Sequence, residues 1–100
     1  MEKRKFNQTG HDYFALGEIY RRTDKFAKAL DCYIKAKNNG YFIPELCFRY
    51  LQVLKKYNKC LDEIIKVKMD ISRANRLNVD LNTMIGLTFK LSKLEDRISM

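Results

Sequence analysis

One hundred residues suffice for one domain at most, and the 46% apolar fraction is that of a folded chain rather than a disordered one. The net charge of +8 favours acidic partners and governs encounter and solubility more than fold. Three cysteines, an odd number in no metal-ligand spacing, favour buried thiols in a reducing compartment over a disulfide scaffold. No signal peptide and no apolar run of membrane-spanning length occurs, so a cytoplasmic protein without a membrane partner is expected. Residues 79–100 carry three basic and three acidic side chains, which leaves the whole charge excess in residues 1–78.

Thr9 followed by Asp12 forms a variant of the capping box, and Tyr13, Leu16, Gly17 and Tyr20 follow at the three-four spacing of a first helix. "RRTDK" ends it, and Asp24 is the expected cap of a second helix striped by Phe26, Ala29, Leu30, Tyr33 and Ala36. Gly40 supplies the left-handed residue that closes that helix. Pro44 suits the first turn of a third, where Leu46, Tyr50, Val53 and Leu54 line one side. "KYNK" at 56–59 is read as a turn, and Leu61, Ile64, Ile65 and Val67 as the stripe of a fourth helix. "DISRANRLN" reads as a loop or frayed end. A fifth helix from Asp80 carries Leu81, Met84, Ile85, Thr88, Leu91 and Ile98. No β alternation interrupts the series, so the expected fold is all-α.

The chain also repeats itself. "LG-x-x-Y" at Leu16, Gly17 and Tyr20 returns as "IG-x-x-F" at Ile85, Gly86 and Phe89, with Tyr50, Leu51 and Leu54 halfway between. A period near 34 residues, each unit holding two helices, marks an α-solenoid. In such a unit glycine lets the first helix approach its partner, and the aromatic residue one turn on fills the gap between units. On Tyr13, Leu16, Gly17, Tyr20, Ala29, Tyr33 and Ala36, residues 10–43 resemble one tetratricopeptide repeat. Residues 44–78 resemble a degenerate second repeat, and residues 79–100 a truncated third or a capping helix. The resemblance implies a short right-handed solenoid of antiparallel helix pairs, about five helices in all, that serves as a scaffold for protein binding. The C-terminal unit also resembles the pentatricopeptide repeats through Val79, Asn82, Thr83, Ile85, Lys90, Leu94 and Glu95. That likeness implies single-stranded RNA as the alternative ligand, with Asn82 as the base-reading residue.

Catalysis finds no support in the residues. The single histidine, His11, has no Ser or Cys context to act with. Asp62–Glu63 and Glu95–Asp96 are adjacent pairs that diverge around a helix, and the four glycines form no phosphate loop. No cofactor or metal is expected. The first helices of a tetratricopeptide array line its concave face, and that resemblance places Phe14, Glu18, Arg21 and Arg22 there, then Phe48, Gln52, Lys55 and Lys56, then Lys90. The basic members form an expected ridge and the two phenylalanines an apolar step beside it, suited to an acidic peptide or protein segment. Helix C-termini attract Lys and Arg through the dipole alone, which is the plainer account of "RR" and "KK". The clamp of the chaperone-binding members is absent: Phe14 and Glu18, Gln52, and Asp80 and Met84 stand in its places. The last helix is expected to cover the open end of the core, with pairing to a second copy as its other use.

Overall fold

The computed structural model describes residues 9–100, and these form four helices: α1 (Gly10–Arg22), α2 (Phe26–Asn38), α3 (Pro44–Arg76) and α4 (Leu81–Arg97). No strand occurs among the described residues, as the unbroken helical periodicity requires.

The helix starts and stops follow the local chemistry. The Thr9 hydroxyl accepts from the Asp12 amide while the Asp12 carboxylate accepts from the Thr9 amide, which closes the capping box at α1. Three of the helices end the same way. Asp24, Gly40 and Asn78 follow α1, α2 and α3 in the left-handed region, with φ of 60°, 89° and 54°. In each case the next amide reaches back five residues: Lys25 to the Tyr20 carbonyl, Tyr41 to Ala36 and Val79 to Ala74. Asp, Gly and Asn are the residues that tolerate this conformation. Asp24 therefore closes α1 instead of capping α2, whose cap position is Lys25 and makes no side-chain bond. Pro44 occupies the first turn of α3, where its missing N–H costs nothing.

The chief departure from the sequence reading is α3. The expected turn at 56–59 is absent, so two expected helices are one of 33 residues, about 50 Å long. The described residues form four helices rather than five, and residues 44–78 do not fold back as an antiparallel pair. The physical reason is a stripe that never changes phase. Leu46, Tyr50, Val53, Tyr57, Cys60, Ile64, Val67, Ile71 and Ala74 alternate spacings of four and three without a break, and all are buried or packed on the core. Lys56–Lys59 contains neither glycine nor proline, and Tyr57 within it is one of the core contacts.

α1 and α2 lie antiparallel, α2 runs back along the first half of α3, and α4 returns along its second half. Ala29, Ala36 and Val53 are fully enclosed, with Tyr33 beside them. The Cys60 thiol donates to the Leu94 carbonyl at 3.3 Å, and Lys25 pairs with Asp96, so the end of α4 is held against the start of α2. Leu94 is buried and Leu91 and Ile98 pack on the core. The long α3 makes the molecule an elongated slab of 61 × 27 × 17 Å, with a radius of gyration of 18.1 Å against about 13 Å for a compact chain of this length.

Candidate functional site

The expected binding residues divide into those the fold has used and those it has left outside. Phe14 is used. Its ring lies 5.8 Å from that of Tyr33 and 5.5 Å from that of Tyr41, so it packs α1 onto α2 and the following turn.

Glu18 is used as well. Its carboxylate accepts from Arg21 at 2.8 and 3.3 Å and from the Tyr33 hydroxyl at 2.6 Å, and it stands 3.6 Å from Arg49 Nε. The last is an ion pair without a hydrogen bond, since Arg49 Nε is buried with no acceptor in bonding geometry. Burial by itself would raise the Glu18 pKa. Hydrogen bonds from Arg21 and Tyr33, with the charges of Arg21 and Arg49, outweigh it and hold the carboxyl below its ordinary range. The same contacts raise the Tyr33 hydroxyl, through burial first and then its bond to Glu18. They raise the Arg21 guanidinium too, chiefly through its bond to Glu18. Glu18, Arg21, Tyr33 and Arg49 thus form one network that ties α1, α2 and α3 together. Arg49 and Tyr33 were not among the expected site residues; they lie 31 and 15 positions from Glu18, beyond the reach of any local spacing.

The remaining expected residues lie outside. Phe48 is 61% exposed, with the Arg49 guanidinium 5.8 Å from its ring centre. Gln52 is exposed and accepts from Arg49 at 3.2 Å. Arg22, Lys55, Lys56, Lys90 and Asn82 are exposed. Phe48, Gln52, Lys55 and Lys59 follow one another at spacings of four, three and four, so they share one face of α3, with Lys56 on its shoulder. Arg22 belongs to the last turn of α1, but Lys55 and Lys56 stand in mid-helix, where no helix end accounts for them. Lys90 is out of line with them. Leu94 lies opposite Cys60, so Lys90, one turn before Leu94, falls near Ile64, two turns beyond Lys56. A ridge of three equivalent helix ends is therefore not formed, because α3 does not turn back where the repeat would.

Another surface was not anticipated. On the side of α3 away from Arg49, a groove of about 510 Å³ opens between α2 and α3, lined by Ile34, Phe42, Cys47 and Leu51 over Tyr33, Leu46 and Tyr50, with Lys37 at its rim. Phe42 and Leu51 are 62% and 63% exposed. The outer face of α4 is also apolar: Leu81, Ile85 and Phe89 point away from the core, and Lys93 lies over the Phe89 ring at 4.6 Å.

Of the cysteines, Cys32 and Cys60 are buried, and burial pushes both thiols up, which suits them to packing rather than to nucleophilic work. Cys47 is exposed. Among the described residues no group of three His, Cys, Asp or Glu side chains has metal-binding geometry, and no helix is long and apolar enough to cross a membrane. His11 meets the edge of Tyr41 at 5.5 Å. Compared with family models, with curated proteins and with solved structures, the chain matches none.

Proposed function

We propose that the protein is a non-catalytic interaction module, a tetratricopeptide-like helical scaffold that binds an acidic peptide or protein segment along the exposed basic side of α3. The observation that carries this reading is the mid-helix placement of Phe48, Gln52, Lys55, Lys56 and Lys59, which puts an exposed aromatic ring beside a run of cations. α1 and α3 run in the same direction, each antiparallel to α2. Downstream of the Glu18–Arg49 contact, Arg22 follows by one turn and Lys56 by two, so Arg22 extends the basic side onto α1. A bound segment would place carboxylates against these cations, as charge-assisted hydrogen bonds, and one apolar side chain against Phe48.

The test is a titration of labelled peptides of alternating Glu and Leu, scored by fluorescence polarisation, against wild type and against Arg22→Glu with Lys56→Glu. Binding that weakens about tenfold or more in the double variant, and weakens with added salt, is expected. Equal affinity for both proteins, with unchanged circular dichroism, would remove the reading. Asn82 is exposed in the first turn of α4. Retention of mixed single-stranded RNA with a steep salt dependence would replace a peptide ligand by RNA.

A further inference from the structure

α3 has a second apolar stripe. About 100° around the helix from the buried one, Cys47, Leu51, Leu54, Asn58, Leu61 and Ile65 alternate spacings of four and three, and Met69 continues the line one turn on. The fold covers little of it. Leu54 and Leu61 are half-buried, while Leu51, Ile65 and Met69 are 63%, 58% and 60% exposed. From Cys47 to Met69 the stripe runs about 33 Å, far more than the scattered exposed leucines of an ordinary surface.

The stripe reads alike in both directions from Asn58. Leu51 and Ile65 stand seven residues to either side, Cys47 and Met69 eleven, and Leu54 and Leu61 four and three. Along its edge, Lys55 lies three residues before Asn58 and Asp62 four after. We propose that this face of α3 is a self-complementary interface, on which a second copy of the chain lays its own α3 antiparallel, with the two-fold axis beside Asn58.

The edge charges bear on both the occupant and its direction: two Lys55–Asp62 pairs flank the axis, and the two Lys59 side chains meet between them. Turned antiparallel, Lys55 of one copy comes beside Asp62 of the other, and the pair occurs twice. Set parallel, the two-fold axis runs along the helices and puts Lys55 and Asp62 of the second copy on the opposite edge of the seam, so neither pair forms. The apolar layers match in the same arrangement: Leu51 meets Ile65, and Leu54 meets Leu61, across the axis. A two-fold interface requires one patch to be its own complement, and this patch is. Asn58 meets its own counterpart at the axis, where two amides can pair; a single polar residue in such a stripe fixes register at some cost in stability. The groove between α2 and α3, walled by Ile34 and Phe42, receives Ile65 and Met69 of the second copy.

Sedimentation equilibrium of the full chain across dilution tests the proposal. Twice the chain mass is expected, falling to the monomer in Leu51→Glu. Asp62→Lys raises the dissociation constant roughly tenfold, and adding Lys55→Glu, which re-forms the pairs in the reverse sense at unchanged net charge, restores it. In Met69→Cys, mild oxidation joins Cys47 of one copy to residue 69 of the other, and the band disappears when Cys47→Ser is added. A monomer at every concentration overturns the proposal. So does a Cys47–Cys47 crosslink in the otherwise wild-type chain, which requires parallel helices, and so does a dimer indifferent to Leu51→Glu and to both charge changes.

Discussion

A Cβ placed on Gly17 would lie 2.7 and 2.8 Å from two carbons of the Tyr33 ring, whereas one placed on Gly86 would meet nothing within 4 Å. The two glycines share a local motif and differ in surroundings. Gly17 lets α1 approach the Tyr33 ring that Phe14 packs on and that also bonds Glu18, while Gly86 lies on the outer side of α4 beside the exposed Ile85 and Phe89. Gly17→Ala should cost about 1–3 kcal/mol through overpacking, and Gly86→Ala should add roughly 0.5–1 kcal/mol by relieving helical glycine of its entropy; urea titration of both variants separates the signs. Glu18 is the other residue on which much converges. Glu18→Gln keeps an acceptor for Tyr33 but removes the anion facing Arg21 and Arg49, and should cost about 2 kcal/mol at neutral pH. Because the folded carboxyl is held below its ordinary value of 4.5, this contribution is complete above that value. It is lost as pH falls through the lowered folded value. Wild type and Glu18→Gln should therefore converge in stability in acid, when both are unfolded by urea at neutral pH and at about pH 3.

At the scale of elements, α3 decides the architecture. A helix of this length persists because two successive neighbours reward one continuous stripe, α2 along Leu46, Tyr50, Val53 and Tyr57, then α4 along Cys60, Ile64, Val67 and Ile71. Asn58 is a modest helix former, disfavoured by less than about 0.7 kcal/mol, and that is too little to stop a helix whose core residues continue in phase on both sides. Lys59→Pro probes the point directly. In a continuous helix it removes the bond from its amide to the Lys55 carbonyl and costs about 3 kcal/mol or more, with a fall in helical circular dichroism. Were Lys56–Lys59 a turn, the substitution would be tolerated. Asn78 shows the contrast: it takes the left-handed conformation where the buried stripe of α3 has ended and Asp80 begins the approach to α4.

At the scale of the whole molecule, the slab has one dense region and one thin one. α2 is buried along most of its length, but in α4 only Leu94 is fully buried, and α4 is fastened to the rest chiefly at its C-terminal end through Cys60, Lys25 and the core contacts of Ile98. The consensus letters of α4, Gly86 and Phe89, fall on its outer face, because α4 packs through Met84, Leu87, Leu91 and Leu94 instead. The sequence by itself determined the all-helical class, the caps at Thr9 and Gly40, the start at Pro44 and most of the core of α1 and α2, since these depend on spacings of three and four and on single-residue backbone preferences. It also held the continuity of α3, in a stripe of nine residues that never breaks phase, but the polar run at 56–59 hides it from a reading that weighs turn composition above periodicity. Only the tertiary structure decided which charged residues were spent. Glu18 and Arg21 went into a network completed by Tyr33 and Arg49, and Lys55 and Lys56 were left outside in mid-helix. Those outcomes depend on which helix comes to lie beside which, a matter of long-range packing that no local spacing records.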